Sequence, residues 1–541
     1  MKRAASFMGS RAVVSLLASA GAAIRKSICV GILSAVVALS GLAVEARADQ
    51  YLDRVNGLYS NVKTDKRSDL VMLPLLAKMD APPRVIDDAD EMLLISPDQA
   101  AWSEVLKWID GPNQKAVIDG LYKVTEGKDF QDSMIFAQPY GAEGVSPEMI
   151  QARMYSELGD PPLLAAVDIQ YMPAMKRLHK LAQLEAVRRA SGGDMLGSFE
   201  VLTRLAFFGR QLAERPMMVE VVLGYTMMWQ AMERIRDIAY EDFRGNKALR
   251  QQAQLSKLAE FNAKIEEDRG VFSLDRMPFP TGNRAAAEQL VSMMGSDAGF
   301  ATTMARVSAG GRPLRLFGEA GKWETAMKSG GGGIALSNNL RLLYDDWAAR
   351  WRFDPFDQRM LQPFYYTNLD RNQYAVLDAS TQDMSELYQL RQFVRMQIVG
   401  TRHALAVLGF SYVNRGMWPP QLSSIRPDFI KALTADPYNP NRARGQQPPM
   451  EYFVPVRDAF GAAAALKKPH EMTVFVSTRE NFQVPLREDT FVLYSTGPDG
   501  GKNRAERIQN TWKLVQDTDV LMWPPVSSLW RQHLRDTGEL K

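Results

Sequence analysis

From Leu163 to Tyr240 apolar residues return at helical steps in three successive runs, and the breaks between runs are only a few residues long. Leu178, Leu181, Ala182, Leu184 and Ala186 mark one face of the first run. Ser191-Gly192-Gly193-Asp194 then supplies a C-terminal stop and an N-cap. Leu196, Phe199, Leu202, Leu205, Ala206, Gly209 and Leu212 stripe the second run, which Arg215-Pro216 ends. Met217–Tyr240 reads as a third, more buried helix. Breaks this short force each helix back along the one before it, so the pattern predicts an antiparallel helical array.

Helical patterning extends over 49–378, with Gln251–Glu267 as a further exposed helix. Residues 296–339, which include Gly310-Gly311 and Gly330–Gly333, read as a Gly-rich loop region. The Ala190–Asp194 turn is similar to a tetratricopeptide corner, but nothing repeats at the period of about 34 residues that such a solenoid needs. In 379–541 the character changes. Ser380–Gly416 reads as one long helix with Met384, Leu387, Leu390, Phe393, Val394, Ile398, Leu405, Leu408 and Tyr412 near one face. Strand-like runs follow at Tyr452–Val454, Thr473–Val476 and Thr490–Tyr494. The expected fold is mainly α: a helical-hairpin array followed by a small α+β domain, a long helix laid on a short antiparallel sheet.

Three phrases in this second region carry a family resemblance. The stretch His403–Leu422 ends in Tyr412, Gly416, Trp418, Pro419 and Leu422. It resembles the helix exit of type II secretion pseudopilins, Y-x-x-x-x-G-x-[YW]-P-x-x-L, with one residue fewer between Tyr and Gly. Ala435-Asp436-Pro437-Tyr438-Asn439 resembles that family's turn before a strand, and Phe491–Gly500 its closing strand with a Ser-x-Gly-x-Asp-Gly turn. The phrases keep the family's order over about 120 residues. Pseudopilins, however, begin with a short basic leader and an early Glu, and lack a large helical half. The chain is therefore more similar to large, uncharacterised exported bacterial proteins that join helical hairpins to a pseudopilin-like domain, a resemblance spanning about Leu163 to Pro525. It implies an architecture and no activity. It also implies a calcium loop, whose oxygens would come from Asp499, Asn503, Asp517 and Asp519. Calcium takes six to eight oxygens. With Lys502, Arg504 and Arg507 in the same loop, an ordinary turn with solvated Asp is the stronger structural reading.

The N-terminus reads as an export signal over 1–48. Lys2, Arg3, Arg11, Arg25 and Lys26 precede an apolar stretch from Ile28 to Val44. Ala46-Arg47-Ala48 then forms a signal-peptidase pattern with cleavage between Ala48 and Asp49. An uncleaved anchor is the alternative, since about 17 apolar residues is the lower edge of a spanning helix. Removing 1–48 takes six of the 65 bases and one of the 62 acids, turning a net charge of +3 into −2. It also removes Cys29, the lone cysteine, which suits an oxidising compartment. A near-neutral, interspersed charge excludes a nucleic-acid partner.

No catalytic constellation is local. His179, His403, His470 and His533 share no metal-binding spacing, and no Gly-x-Ser-x-Gly elbow occurs. Phe317–Trp323 fails as a phosphate loop because its first Gly is misplaced and Trp323 stands where Ser or Thr would bind magnesium. The acidic run Asp87–Glu91 reads as an N-capping turn. Tyr344, Trp347 and Trp351 beside Arg350 read as core rather than a sugar platform, and Met217, Met218, Met227, Met228 and Met232 as packing rather than copper ligands. The expected function is that of an exported, non-enzymatic envelope or secretion-associated scaffold. Its partners would be envelope or secretion-system proteins, and it would touch a membrane only through an uncleaved signal. The alternative is an exported hydrolase or carbohydrate-active protein with a dispersed site, which requires a deep pocket gathering acids with His179 or His403.

Overall fold

The protein is described by a computed structural model over residues 50–540, apart from 87–93, 128–132, 246–247, 249–251, 267–276, 294–304, 306–313, 319, 328–332, 371, 382–383 and 513–516. The export signal, the Asp87–Glu91 run and Gly310-Gly311 lie outside the described residues. An N-terminal layer holds α1 (Asp69–Lys78), α2 (Trp102–Ile109) and α3 (Pro112–Val124). A short ribbon, β1 (Ser156–Glu157) with β2 (Asp168–Ile169), follows. The central hairpins are α4 (Met172–Ser191), α5 (Met195–Ala213) and α6 (Met218–Arg244). Helical structure thus begins later than the periodicity from Leu163 suggests. Pro173 sits in the first turn of α4, where its fixed φ and missing N–H cost nothing.

The turn between α4 and α5 forms as the sequence predicts. Gly193 takes a left-handed φ of 83°, and the Asp194 carboxylate accepts a 2.9 Å bond from the Gly197 N–H. Along the α5–α6 seam the backbones touch. A Cβ placed on Gly209 would lie 2.7 Å from the carbonyl oxygen of Gly224, and one on Gly224 would strike Gly209 in turn. Only hydrogen fits at both positions.

Beyond them run α7 (Gln252–Lys264), α8 (Gly282–Met293), α9 (Ala320–Met327) and α10 (Gly333–Arg350). The long helix is α11 (Met384–Val413), and the last is α12 (Val526–Asp536). Helix α11 packs on α6, where the buried Arg236 donates to Thr401 Oγ1 at 2.6 Å and to the Gln397 carbonyl at 3.2 Å. Its other side carries the sheet: Gly400 leaves room for Met522, and Gly409 for the ring of Phe429.

The sheet holds β3 (Glu451–Phe453), β4 (His470–Phe475), β5 (Asn481–Leu486), β6 (Val492–Ser495), β7 (Arg507–Gln509) and β8 (Asp519–Trp523) in the order β3-β6-β8-β7-β4-β5. It is mixed rather than purely antiparallel, because β7 lies parallel to both β4 and β8. Alternation along the strands separates two apolar layers. Leu493, Val520 and Met522 join the helical core, while Val492, Tyr494 and Leu521 join a smaller core closed by Val526 and Leu529 of α12. The larger core runs as one cluster from Val55 to Trp523, across the change of character near residue 379. No described helix is long and apolar enough to cross a membrane.

Candidate functional site

The four residues expected to ligate calcium lie around β7: Asp499 and Asn503 in the loop before it, Asp517 in the loop after it and Asp519 at the start of β8. Gly497 and Gly500 turn the chain at φ 72° and 65°, and Asp499 accepts the Gly501 N–H at 2.8 Å. Asn503 Nδ2 donates to the Asp517 carbonyl at 2.8 Å. Asp519 opens β8, fully buried, and its Oδ2 accepts the Ala505 N–H at 2.7 Å. Asp519 Oδ1 and Asn503 Oδ1 are buried without a hydrogen-bond partner. The backbone is strained here, with Arg504, Ala505 and Asp517 at left-handed φ of 56°, 56° and 55°.

Asp519, Asn503 and the Asp517 carbonyl are therefore brought together, with the Asp499 charge close by. The Asp499 and Asp517 side chains are themselves exposed. The loop's cations turn outward: Lys502 pairs with Glu451, Arg504 lies 4.3 Å from the Phe460 ring centre, and Arg507 lies 5.0 Å from that of Phe475. Among the described residues no group of three or more His, Cys, Asp or Glu is arranged to hold a metal.

The Asp436 turn meets this strand end. Asp436 Oδ1 accepts the Tyr438 N–H at 3.0 Å and the Ser495 hydroxyl at 2.8 Å, so the turn is tied to the end of β6. Burial pushes the Asp436 carboxyl up to about 6; burial, aided by the Asp499 charge, pushes that of Asp519 up to about 7. Both carboxyls ionise more easily in the unfolded chain. Their contribution to stability is therefore fully present below the ordinary value near 3.8 and is lost as pH rises through about 6 to 7. We predict that Asp519→Asn, measured with chelator present, unfolds at higher denaturant than wild type above that pH and shows a flatter pH profile. An unchanged profile would contradict this assignment.

Two buried ionic clusters went unpredicted. At the α5–α6 turn Arg215 and Glu220, both without solvent exposure, pair at 2.9 Å. The guanidinium also donates to the carbonyls of Phe136 at 3.3 Å and Gln138 at 2.7 Å, and the rings of Tyr59 and Tyr140 flank it, each at 4.5 Å. The hydroxyls of Tyr140 and Tyr171 donate to the two Glu220 oxygens. In the second cluster Asp237 of α6 receives Arg234 and Arg531, each at 2.8 Å, and the Ser528 hydroxyl. Burial pushes its carboxyl up, but the Arg531 and Arg234 charges outweigh it and hold the group at about 2. Each cluster joins helices.

The histidines are scattered. His179 Nε2 meets Gln230 Oε1 at 2.6 Å, and burial lowers its pKa to about 4. In α11, burial and the Arg402 charge hold His403 at about 3, and neither of its ring nitrogens has a partner. Tyr344, Trp347 and Trp351 are core, with Trp347 stacked on Phe364 at 4.4 Å. Met217, Met227, Met228 and Met232 are fully buried.

What sequence reading missed is a groove beside the β3 edge. Two adjoining cavities of about 600 Å3 and 820 Å3 share Phe453, Ala459, Phe460 and Arg504 as lining. The arm from β3 to β4 carries Phe460, 74% exposed, and Leu466, 64% exposed. A large aromatic just before the small-residue run Gly461–Ala465 is the only local signal for it. Neither His179 nor His403 lines this groove. Compared with family models, with curated proteins and with solved structures, the chain matches none.

Proposed function

We propose that the chain is an exported, non-enzymatic scaffold of the cell envelope or of a secretion system, working through protein contacts made by the 455–469 arm. The observation that carries this reading is the exposure of Phe460, 74%, at the border of a groove, with Leu466, 64% exposed, farther along the same arm. The ionic clusters, by contrast, are engaged in joining helices. The proposed address is periplasmic or envelope-bound, with the mature chain beginning at Asp49 after cleavage behind Ala48. A photo-crosslinking residue placed at Phe460 or Leu466 should trap a defined envelope or secretion-system protein, and one at the exposed Leu58 should not. Equal trapping at all three positions, or fractionation of the chain to the cytoplasm, would overturn the reading.

A second, narrower reading concerns calcium. The partnerless Asp519 Oδ1 and Asn503 Oδ1 favour it, because a bound cation would satisfy both oxygens. Added calcium should raise the melting temperature, and Asp499→Ala or Asp519→Asn should abolish the rise. No shift in the wild type would exclude the site.

A further inference from the structure

A separate cleft of about 320 Å3 opens where the end of α4, the start of α5, the helices α6 and α12, and the 95–98 loop converge. Its floor is apolar, made by Ile95, Val187, Met195 and Ile238, all buried. An apolar cavity of about 150 Å3 accommodates a benzene ring, so this one has room for a ring and a short chain. Ligand clefts begin at about this size.

The polar rim carries both signs. Arg234, Arg531 and Arg535 line the cleft together with Asp98, Asp237, Glu241 and Asp242. Each guanidinium is already committed: Arg234 to Asp237, Arg531 to Asp237 and Glu241, and Arg535 to Asp98. Glu241 shares its arginine with the buried Asp237, and its own side chain is 47% exposed. Helix α6 also ends at the cleft, where Gly245 is part of the lining, and so presents the negative end of its dipole there. The site thus combines an apolar floor with a half-exposed carboxylate, Glu241, that has only a shared arginine at the rim.

We infer that this cleft binds a small molecule with an apolar body and a single ammonium group, the body resting on Ile238 and Met195 and the ammonium beside Glu241. The inference concerns a different face from the protein-contact arm and does not depend on it. The test uses the full mature chain and three near-isosteric probes, phenethylamine, phenethyl alcohol and hydrocinnamate, titrated by calorimetry. The amine should bind about tenfold more tightly than the alcohol, a difference of about 1.4 kcal/mol, and hydrocinnamate should not bind. Glu241→Gln should bring the amine down to the affinity of the alcohol. Ser191→Trp, at the exposed mouth, should block both while leaving the melting curve unchanged. Binding of hydrocinnamate as tight as that of the amine, amine binding indifferent to both variants, or no amine binding to the wild type would each overturn the inference.

Discussion

Glu220→Ala is expected to lower the unfolding free energy by about 3–5 kcal/mol, because it leaves a buried guanidinium without its counter-ion. Arg215 cannot escape to water: it has no solvent exposure, Tyr59 and Tyr140 cover its faces, and the Phe136 and Gln138 carbonyls already occupy two of its donors. The substitution also removes the acceptor for the Tyr140 and Tyr171 hydroxyls, both fully buried. An unmade buried hydrogen bond adds about 1–3 kcal/mol for each donor that finds no other partner. Urea unfolding followed by far-ultraviolet circular dichroism gives the measurement. Arg215→Met combined with Glu220→Leu should recover part of the loss, since it removes both charges, although the tyrosine hydroxyls and the Phe136 and Gln138 carbonyls then lose their partners. A single-variant loss below about 1 kcal/mol would mean that the pair behaves like a surface salt bridge.

The second large effect is expected at Asp237. Asp237→Ala leaves Arg234 and Arg531, both buried, facing each other without the carboxylate that holds them, and should cost about 3–5 kcal/mol. The damage should fall first on α12, which Asp237 anchors through Arg531 and Ser528. Limited proteolysis should therefore cut the variant near residues 526–536 before it cuts the hairpins. The pH dependence has a definite sign. The folded carboxyl is held at about 2, below its ordinary 3.8, so its contribution is complete above the ordinary value and disappears as pH falls through about 2. Wild type and Asp237→Ala should thus converge in strong acid. Equal proteolysis of α12 in both proteins would contradict the anchoring role.

The parts of this fold that were legible in the sequence are the long helices, whose apolar residues recur at helical steps even though α5 and much of α11 are buried nearly all round. Helices α4, α5 and α11 each show an apolar stripe, and the α4–α5 turn announces itself in Gly193 and Asp194. Three strands of the six-stranded sheet did not show. β8 is buried on both faces, which erases alternation; β7 is only three residues long; and Pro485 makes β5 read as non-strand, although it is an edge where a missing N–H is tolerated. The parallel pairing of β7 depends on where its loops return, which no local pattern encodes. The four candidate calcium residues could be named because the resemblance points to one short stretch of chain, Asp499 to Asp519. The Arg215–Glu220 cluster could not, because its tyrosines lie 80 and 49 residues from Glu220 in the chain. Phe460 is conspicuous only once the β3–β4 arm has been placed in space.

The docking of α12 has a consequence for the order of events in folding. Arg531 reaches back 294 residues to Asp237, and Arg535 reaches back 437 residues to Asp98. Such separations are slow to close, because much chain must be ordered before the contact returns anything. Synthesis delivers the N-terminal end first, at about 5–20 residues per second. The hairpins α4 to α6 are therefore made before α12, and until Arg531 emerges Asp237 has Arg234 beside it but not its second arginine. A nascent chain stalled short of residue 531 would lack that clamp and leave this end of the hairpins open to chaperones.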